Sequence, residues 1–134
     1  MNIIVAEHCG FCYGVKRAVQ MAQEAAEQHV KGGTYGPLIH NPQLIEELSA
    51  KGIDCRDELK DFTPGETIIF RSHGVGPEIY AQAEASGLKI LDATCPNVRL
   101  AQKKAAQAAA DGYFPIIVGE KNHPEVKSIL KWAD

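Results

Sequence analysis

The sequence predicts an α/β protein: a parallel sheet flanked by helices, with one complete unit followed by the start of a second, similar one. Three observations carry this. Short β-branched apolar runs alternate with stretches whose apolar residues recur every three or four positions, the signature of strand–helix–strand units. Gly or Pro punctuates most of the junctions. Finally, 134 residues at 45% hydrophobic and 23% charged can bury an ordinary core, which excludes disordered, collagen-like and low-complexity classes.

The elements follow in order. Residues 2–6 read as a fully buried strand, and a helix is predicted over about 15–29 from Val15, Ala18, Val19, Ala22 and Ala26. Residues 34–39 form a second strand candidate, weakened by Gly36 and Pro37. Pro42 opens a short helix to about Lys51, with Gly52 just past its end. A short edge-like strand at 53–55 and a strand at 67–70 come next, then a helix over about 77–86 that Gly87 stops. Residues 89–91 supply another strand, residues 97–110 an Ala-rich helix closed by Gly112, residues 114–118 another buried strand, and residues 126–132 a last helix. Residues 1–93 are thus expected to form the first α/β unit and 94–134 the truncated start of a second. A lone strand cannot make a sheet, so the 114–118 run is expected to pack poorly and the chain to be an N-terminal fragment of a longer protein.

Charge narrows the partners. With 14 Lys+Arg against 17 Asp+Glu, a net charge of -3 and no basic run, nothing predicts binding to nucleic acid or an anionic membrane. No stretch approaches the roughly 20 apolar residues of a spanning helix, and the N-terminus lacks the pattern of a signal peptide. A cytoplasmic location is expected. In a reducing compartment Cys9, Cys12, Cys55 and Cys95 are buried thiols, a redox pair or metal ligands.

Position favours the last. The five main predicted strands lead into Cys9-Gly10-Phe11-Cys12, Ile39-His40-Asn41, Ser72-His73-Gly74-Val75, Asp92-Ala93-Thr94-Cys95 and His123-Pro124-Glu125. Ligands of parallel α/β sheets bind outside the carboxyl ends of the strands. Each element also has a plain reading. Cys9-x-x-Cys12 alone could be a dithiol or half a zinc site, Cys55 a small buried or half-buried residue, His8 and His29 surface residues, Ser72 a helix cap, and Glu125 a favourable charge at a helix start. Gly74-Val75-Gly76 completes neither a dinucleotide fingerprint nor a P-loop. Taken together on one rim, thiolates from separate loops suit a soft metal or an iron–sulfur cluster, histidines near helix starts suit an anion, and a carboxyl group can relay protons. The combination points to metal-assisted chemistry on a phosphorylated molecule.

These segments, with Gly10-Phe11-Cys12-Tyr13-Gly14-Val15-Lys16-Arg17-Ala18-Val19 the most extended, closely resemble the 4-hydroxy-3-methylbut-2-enyl diphosphate reductase family over essentially the whole chain. The resemblance implies a protein about twice this length, with three similar α/β units around a [4Fe-4S] cluster held by three cysteines. It implies that Cys12 and Cys95 are two of those ligands and that the third lies beyond Asp134. It also implies that His40, His73 and His123 bind the diphosphate and that Glu125 delivers protons. The implied reaction removes the allylic hydroxyl of a diphosphate substrate as water. Isopentenyl and dimethylallyl diphosphates result, with electrons from a ferredoxin- or flavodoxin-type donor. Cys9 is not required by the family pattern. A non-catalytic metal- or phosphate-binding module and a C-x-x-C dithiol oxidoreductase stand as alternatives.

Overall fold

Thr67-Ile68-Ile69-Phe70 organises the molecule because a strand buried on both faces needs no polar side. The last three of these residues are fully buried. In the computed structural model, which describes residues 2–7 and 9–134, this run is β3 (Thr67–Phe70) of a four-stranded parallel sheet. The other strands are β1 (Gly32–Tyr35), β2 (Ile53–Arg56) and β4 (Lys89–Asp92), in the order β2-β1-β3-β4. Five α-helices accompany them among the described residues, α1 (Tyr13–Glu27), α2 (Pro42–Ala50), α3 (Pro77–Ala85), α4 (Pro96–Ala110) and α5 (Pro124–Leu130), with a short 3-10 turn at Leu59–Asp61.

The pleat of β3 divides the core in two. Ile69 joins Ala18, Ala22, Ala25 and Ala26 of α1 and Leu44 and Leu48 of α2 on one face. Ile68 and Phe70 point the other way, to Phe62, Val75, Leu88 and Ala83 of α3. The small residues of α1 let that helix lie close to the sheet, while the larger second face packs its rings edge to face: Phe70 and Tyr80 stand 4.7 Å apart at 77°.

The helices and three strands fall within about two residues of their predicted positions. β1 is the exception, beginning at Gly32 and ending at Tyr35 where a strand over 34–39 was expected. Its glycines are a packing requirement, because a Cβ on Gly32 would overlap the Thr67 carbonyl and one on Gly33 the Asp54 carbonyl. Close backbone approach therefore outweighs the poor strand propensity of glycine.

Two expectations fail. Residues 2–6 and 114–118 form no strand, and both are exposed rather than buried: Ile4 is 94% and Val118 95% accessible. An apolar run becomes a strand only where a neighbour takes its N–H and C=O groups, and among the described residues neither run has one. The expected poor packing of 114–118 is what the structure shows. Cys55, expected to be buried or half-buried, is exposed at the end of β2, and His8 lies outside the described residues.

Candidate functional site

From β1 the chain turns to β2 on one side, and from β3 to β4 on the other. The loops leaving these two neighbours therefore diverge and open a crevice at the carboxyl end of the sheet. His40 follows β1 and His73 follows β3, with ring centroids 5.1 Å apart. His123, the N-cap of α5, brings its ring within 5.4 Å of His73, so His73 stands between the other two. A cavity of about 180 Å³ beside the pair is lined by Phe11, Val15, Ile39, His40, Ser72 and His73, which brings the start of α1 to the same place.

Hydrogen bonds stitch these loops together. The buried Ser72 hydroxyl donates to the Leu38 carbonyl at 3.4 Å, and the Ser72 carbonyl accepts from the Cys95 N–H at 2.9 Å. One residue thus joins the exits of β1, β3 and β4. Asn41 Oδ1 accepts from the Leu44 N–H at 3.2 Å, starting α2 immediately after His40. Asp92 Oδ1 accepts from the Thr94 N–H at 3.0 Å, while its other oxygen accepts from the Tyr80 hydroxyl and from Arg99. Arg17 of α1 donates to the Thr94 carbonyl at 3.2 Å, which ties the helix that Cys12 starts to the loop that carries Cys95.

Cys12 and Cys95 are the N-caps of α1 and α4, and neither side chain caps its helix. Both sulfurs therefore remain available beside backbone N–H groups that favour negative charge. A Cβ built on Gly14 would lie 2.5 Å from Cys95 Sγ. The Cys95 sulfur thus rests against the first turn of α1, two residues from Cys12. Cys9 and Cys12 are exposed free thiols. Among the described residues no group of three or more His, Cys, Asp or Glu side chains is gathered as a metal site. The two thiols fit part of a soft-metal donor set, and further ligands would have to come from outside it.

His73 and His123 are held by different surroundings. His123 Nδ1 accepts from the Glu125 N–H at 3.3 Å, so in the neutral ring the proton is on Nε2. Burial, reinforced by the positive charge of His40, Arg71 and His123, pushes His73 down to about 4, and its ring is neutral at pH 7. Its Nδ1 is buried without a partner among the described residues. Glu125 lies in the first turn of α5, and among the described residues its carboxylate forms no ion pair.

The structure therefore brings His40, His73 and His123 together and lays Cys95 against the helix that Cys12 starts. Residues 114–118 are no strand, yet His123 still reaches the site, carried by α5 instead. Ser72 is not a helix cap, since Gly76 is the N-cap of α3; it joins three loops. Gly14, Arg17 and Asp92 sit inside recognisable segments, but only their contacts reveal what each one holds.

The chain matches the model of the LytB protein family over residues 3–134. It belongs to the LytB family. Relatives from Aquifex aeolicus and Geobacter metallireducens, 47% and 45% identical, are named 4-hydroxy-3-methylbut-2-enyl diphosphate reductase; the matches take in 97% and 99% of this chain. The chain spans about half the length of these relatives, 45% and 47%. A solved structure of (E)-4-hydroxy-3-methyl-but-2-enyl diphosphate reductase, described as the terminal enzyme of the non-mevalonate pathway, superposes with a TM-score of 0.83 at 46% identity. It covers 97% of this chain and 46% of that one. The Plasmodium falciparum reductase superposes with a TM-score of 0.88 at 30% identity, over 92% of this chain and 39% of that one. The four-stranded parallel sheet flanked by helices is thus shared with these reductase structures. No helix of the described residues is long and apolar enough to cross a membrane.

Proposed function

We propose that the complete protein is a 4-hydroxy-3-methylbut-2-enyl diphosphate reductase, in which this chain supplies two cluster thiolates, a three-histidine diphosphate cradle and a proton donor. The observation that carries the reading is the meeting of His40, His73 and His123 at the crevice into which the Cys12 and Cys95 loops also lead. Cys12 and Cys95 are two ligands of a [4Fe-4S] cluster whose remaining ligation comes from outside residues 1–134. When bound, the cluster supplies two electrons, one at a time, and an iron that polarises the allylic C–O bond.

The chain's own residues do the rest. His123 presents Nε2–H to a phosphate oxygen because its other nitrogen is engaged by the Glu125 N–H. His73, neutral at pH 7 chiefly through burial, is surrounded by groups that raise the local positive charge; a diphosphate reverses that sign and favours the doubly protonated ring. His40, exposed at the mouth, meets the anion first. Glu125 would repel a diphosphate if charged, so delivering a proton is the better use of its position in the first turn of α5, two residues after His123. The balance closes as two electrons and two protons in, the C–O bond broken, one proton leaving with the hydroxyl as water and one added to carbon. A ferredoxin- or flavodoxin-type protein fits as donor because it delivers electrons singly. A cytoplasmic location is part of the same reading.

The test is anaerobic reconstitution of the complete protein, with product detection by mass spectrometry and cluster content by Mössbauer spectroscopy. The wild type should form isopentenyl and dimethylallyl diphosphates, and a Cys12→Ser, Cys95→Ser double variant should lose both cluster and product. An undiminished cluster in that variant overturns the assignment. Cys95→Ser alone also separates this reading from a Cys9–Cys12 dithiol, which it would spare.

A further inference from the structure

Gln102 is fully buried in the middle of α4, which is unusual for an amide side chain. Its Nε2 donates to the Ser128 hydroxyl at 3.1 Å and lies 3.4 Å from the Val75 carbonyl. Ser128, itself buried in α5, donates its hydroxyl to the His73 carbonyl at 2.8 Å. The Val75 carbonyl also accepts from Trp132 Nε1 at 2.9 Å. Between these two carbonyls sits Gly74, in the left-handed region at φ +72°, where any Cβ would overlap the Gln102 amide. The loop after β3 is thus pinned by polar groups on both sides of Gly74.

We infer that Gln102 and Ser128 are positioning residues that fix the spacing of His73 and His123. The inference rests on the diphosphate reading above and adds how the cradle is held. Ser128 lies five residues after His123 on the helix that His123 starts, so its bond to the His73 carbonyl ties both histidines to one rigid element. The separation of the two rings, 5.4 Å, then follows from backbone anchoring on α5. Apolar packing supplies only part of this restraint: Val126 and Ile129 are half-buried and Leu130 is 41% exposed, while the Trp132 ring just past α5 stands 6.0 Å from that of Tyr80. Gln102 keeps the Ser128 hydroxyl aimed by filling its acceptor side, which leaves the proton for His73.

The experiment uses the complete protein with 13C-labelled histidine, read by ring resonances, together with calorimetry of inorganic pyrophosphate. Ser128→Ala and Gln102→Leu should shift the His73 and His123 resonances and leave that of His29 in place. They should weaken pyrophosphate binding about 5- to 10-fold, the effect of one buried hydrogen bond. Ser128→Thr, which keeps the hydroxyl, should restore both readouts. Phe62→Leu, distant from the histidines, should lower the melting temperature while changing neither, which separates positioning from general destabilisation. Unmoved His73 and His123 resonances in Ser128→Ala overturn the inference. If those resonances move but wild-type protein ignores pyrophosphate, the positioning stands and the diphosphate reading falls.

Discussion

The two ends of the sheet treat their polar groups in opposite ways. Near the amino end, Glu66 just before β3 accepts from the Thr63 N–H at 2.8 Å and from Arg56 at 2.8 Å, whose side chain reaches back from the last position of β2 and lies 4.8 Å over the Phe62 ring. Among the described residues no buried side-chain polar atom there lacks a partner. At the carboxyl end, the buried Arg71 Nε and His73 Nδ1 have none among the described residues, and three imidazoles crowd together. A buried unpaired polar atom costs about 1–3 kcal/mol, which a merely structural region has no reason to carry. The difference teaches that one end satisfies its buried polar groups while the other leaves hydrogen-bonding capacity unused, which is what the proposed diphosphate cradle requires.

The comparison can be broken most severely at Glu125. If it donates the proton, Glu125→Gln in the complete enzyme should lower turnover by about 100- to 10,000-fold while leaving affinity nearly unchanged, because the amide keeps shape and hydrogen bonding but has no proton to give. His40→Ala should do the reverse, weakening binding about 10- to 150-fold through loss of one charge-assisted hydrogen bond. Steady-state kinetics with a chemical electron donor, paired with calorimetric binding, separates the two. Normal turnover in Glu125→Gln would sink the proton-donor role while leaving the family assignment intact.

The next effect sharpens the link between Gly14 and Cys95. A Cβ at position 14 would lie 2.5 Å from Cys95 Sγ, so Gly14→Ala must push the sulfur or the first turn of α1 aside. The expected outcome is a several-fold drop in iron bound per reconstituted complete protein, with the far-ultraviolet circular dichroism of the fold retained. Full iron loading in Gly14→Ala would show that iron binding does not depend on Cys95 resting against α1.

The same two ends explain what the sequence made legible. β3 was readable because an apolar run bounded by Gly65 and Arg71 pairs on both sides. Phe114–Val118 carries a similar pattern, but pattern alone does not say whether a partner strand exists. β1 was misplaced because Gly32 and Gly33 are dictated by neighbouring carbonyls, a tertiary demand that local propensity opposes. At the site, His40, His73 and Cys95 were legible because they follow strands, where topology gathers loops. Ser72, Gln102 and Ser128 act on backbone carbonyls far away in sequence, and such bonds leave no spacing to read. A buried amide in an Ala-rich helix is the one signal that could have raised Gln102.

Acid should strip the two ends in turn. His73 has its folded pKa near 4, below the ordinary 6.5, chiefly through burial. Between those values the unfolded chain binds more protons than the folded one, so stability falls as pH drops from about 6.5 towards 4. Pyrophosphate should oppose that loss, since an anion favours the protonated ring. Thermal melting of the complete protein across this range, with and without pyrophosphate, reads both effects, and a pyrophosphate effect equal at pH 7 and pH 5 would count against them.

The smallest effect lies at the amino end, where Glu66 is lowered to about 2, mainly by the Arg56 side chain. Here the folded state holds its carboxylate charged after the unfolded one has been protonated, so its contribution is complete above about 4.5 and fades as pH falls towards 2. The pair is partly exposed, at 21% and 19% for the two side chains, so solvent screening keeps its worth to about 0.5–1 kcal/mol. Glu66→Gln should therefore lower stability slightly at pH 7 and converge with the wild type near pH 2. The His73 window and pyrophosphate affinity should not change. Denaturant melts at three pH values measure the first, and calorimetry the second. An altered pyrophosphate affinity in Glu66→Gln would mean that β3 transmits strain from one end to the other, and the division between a stabilising end and a binding end would no longer hold.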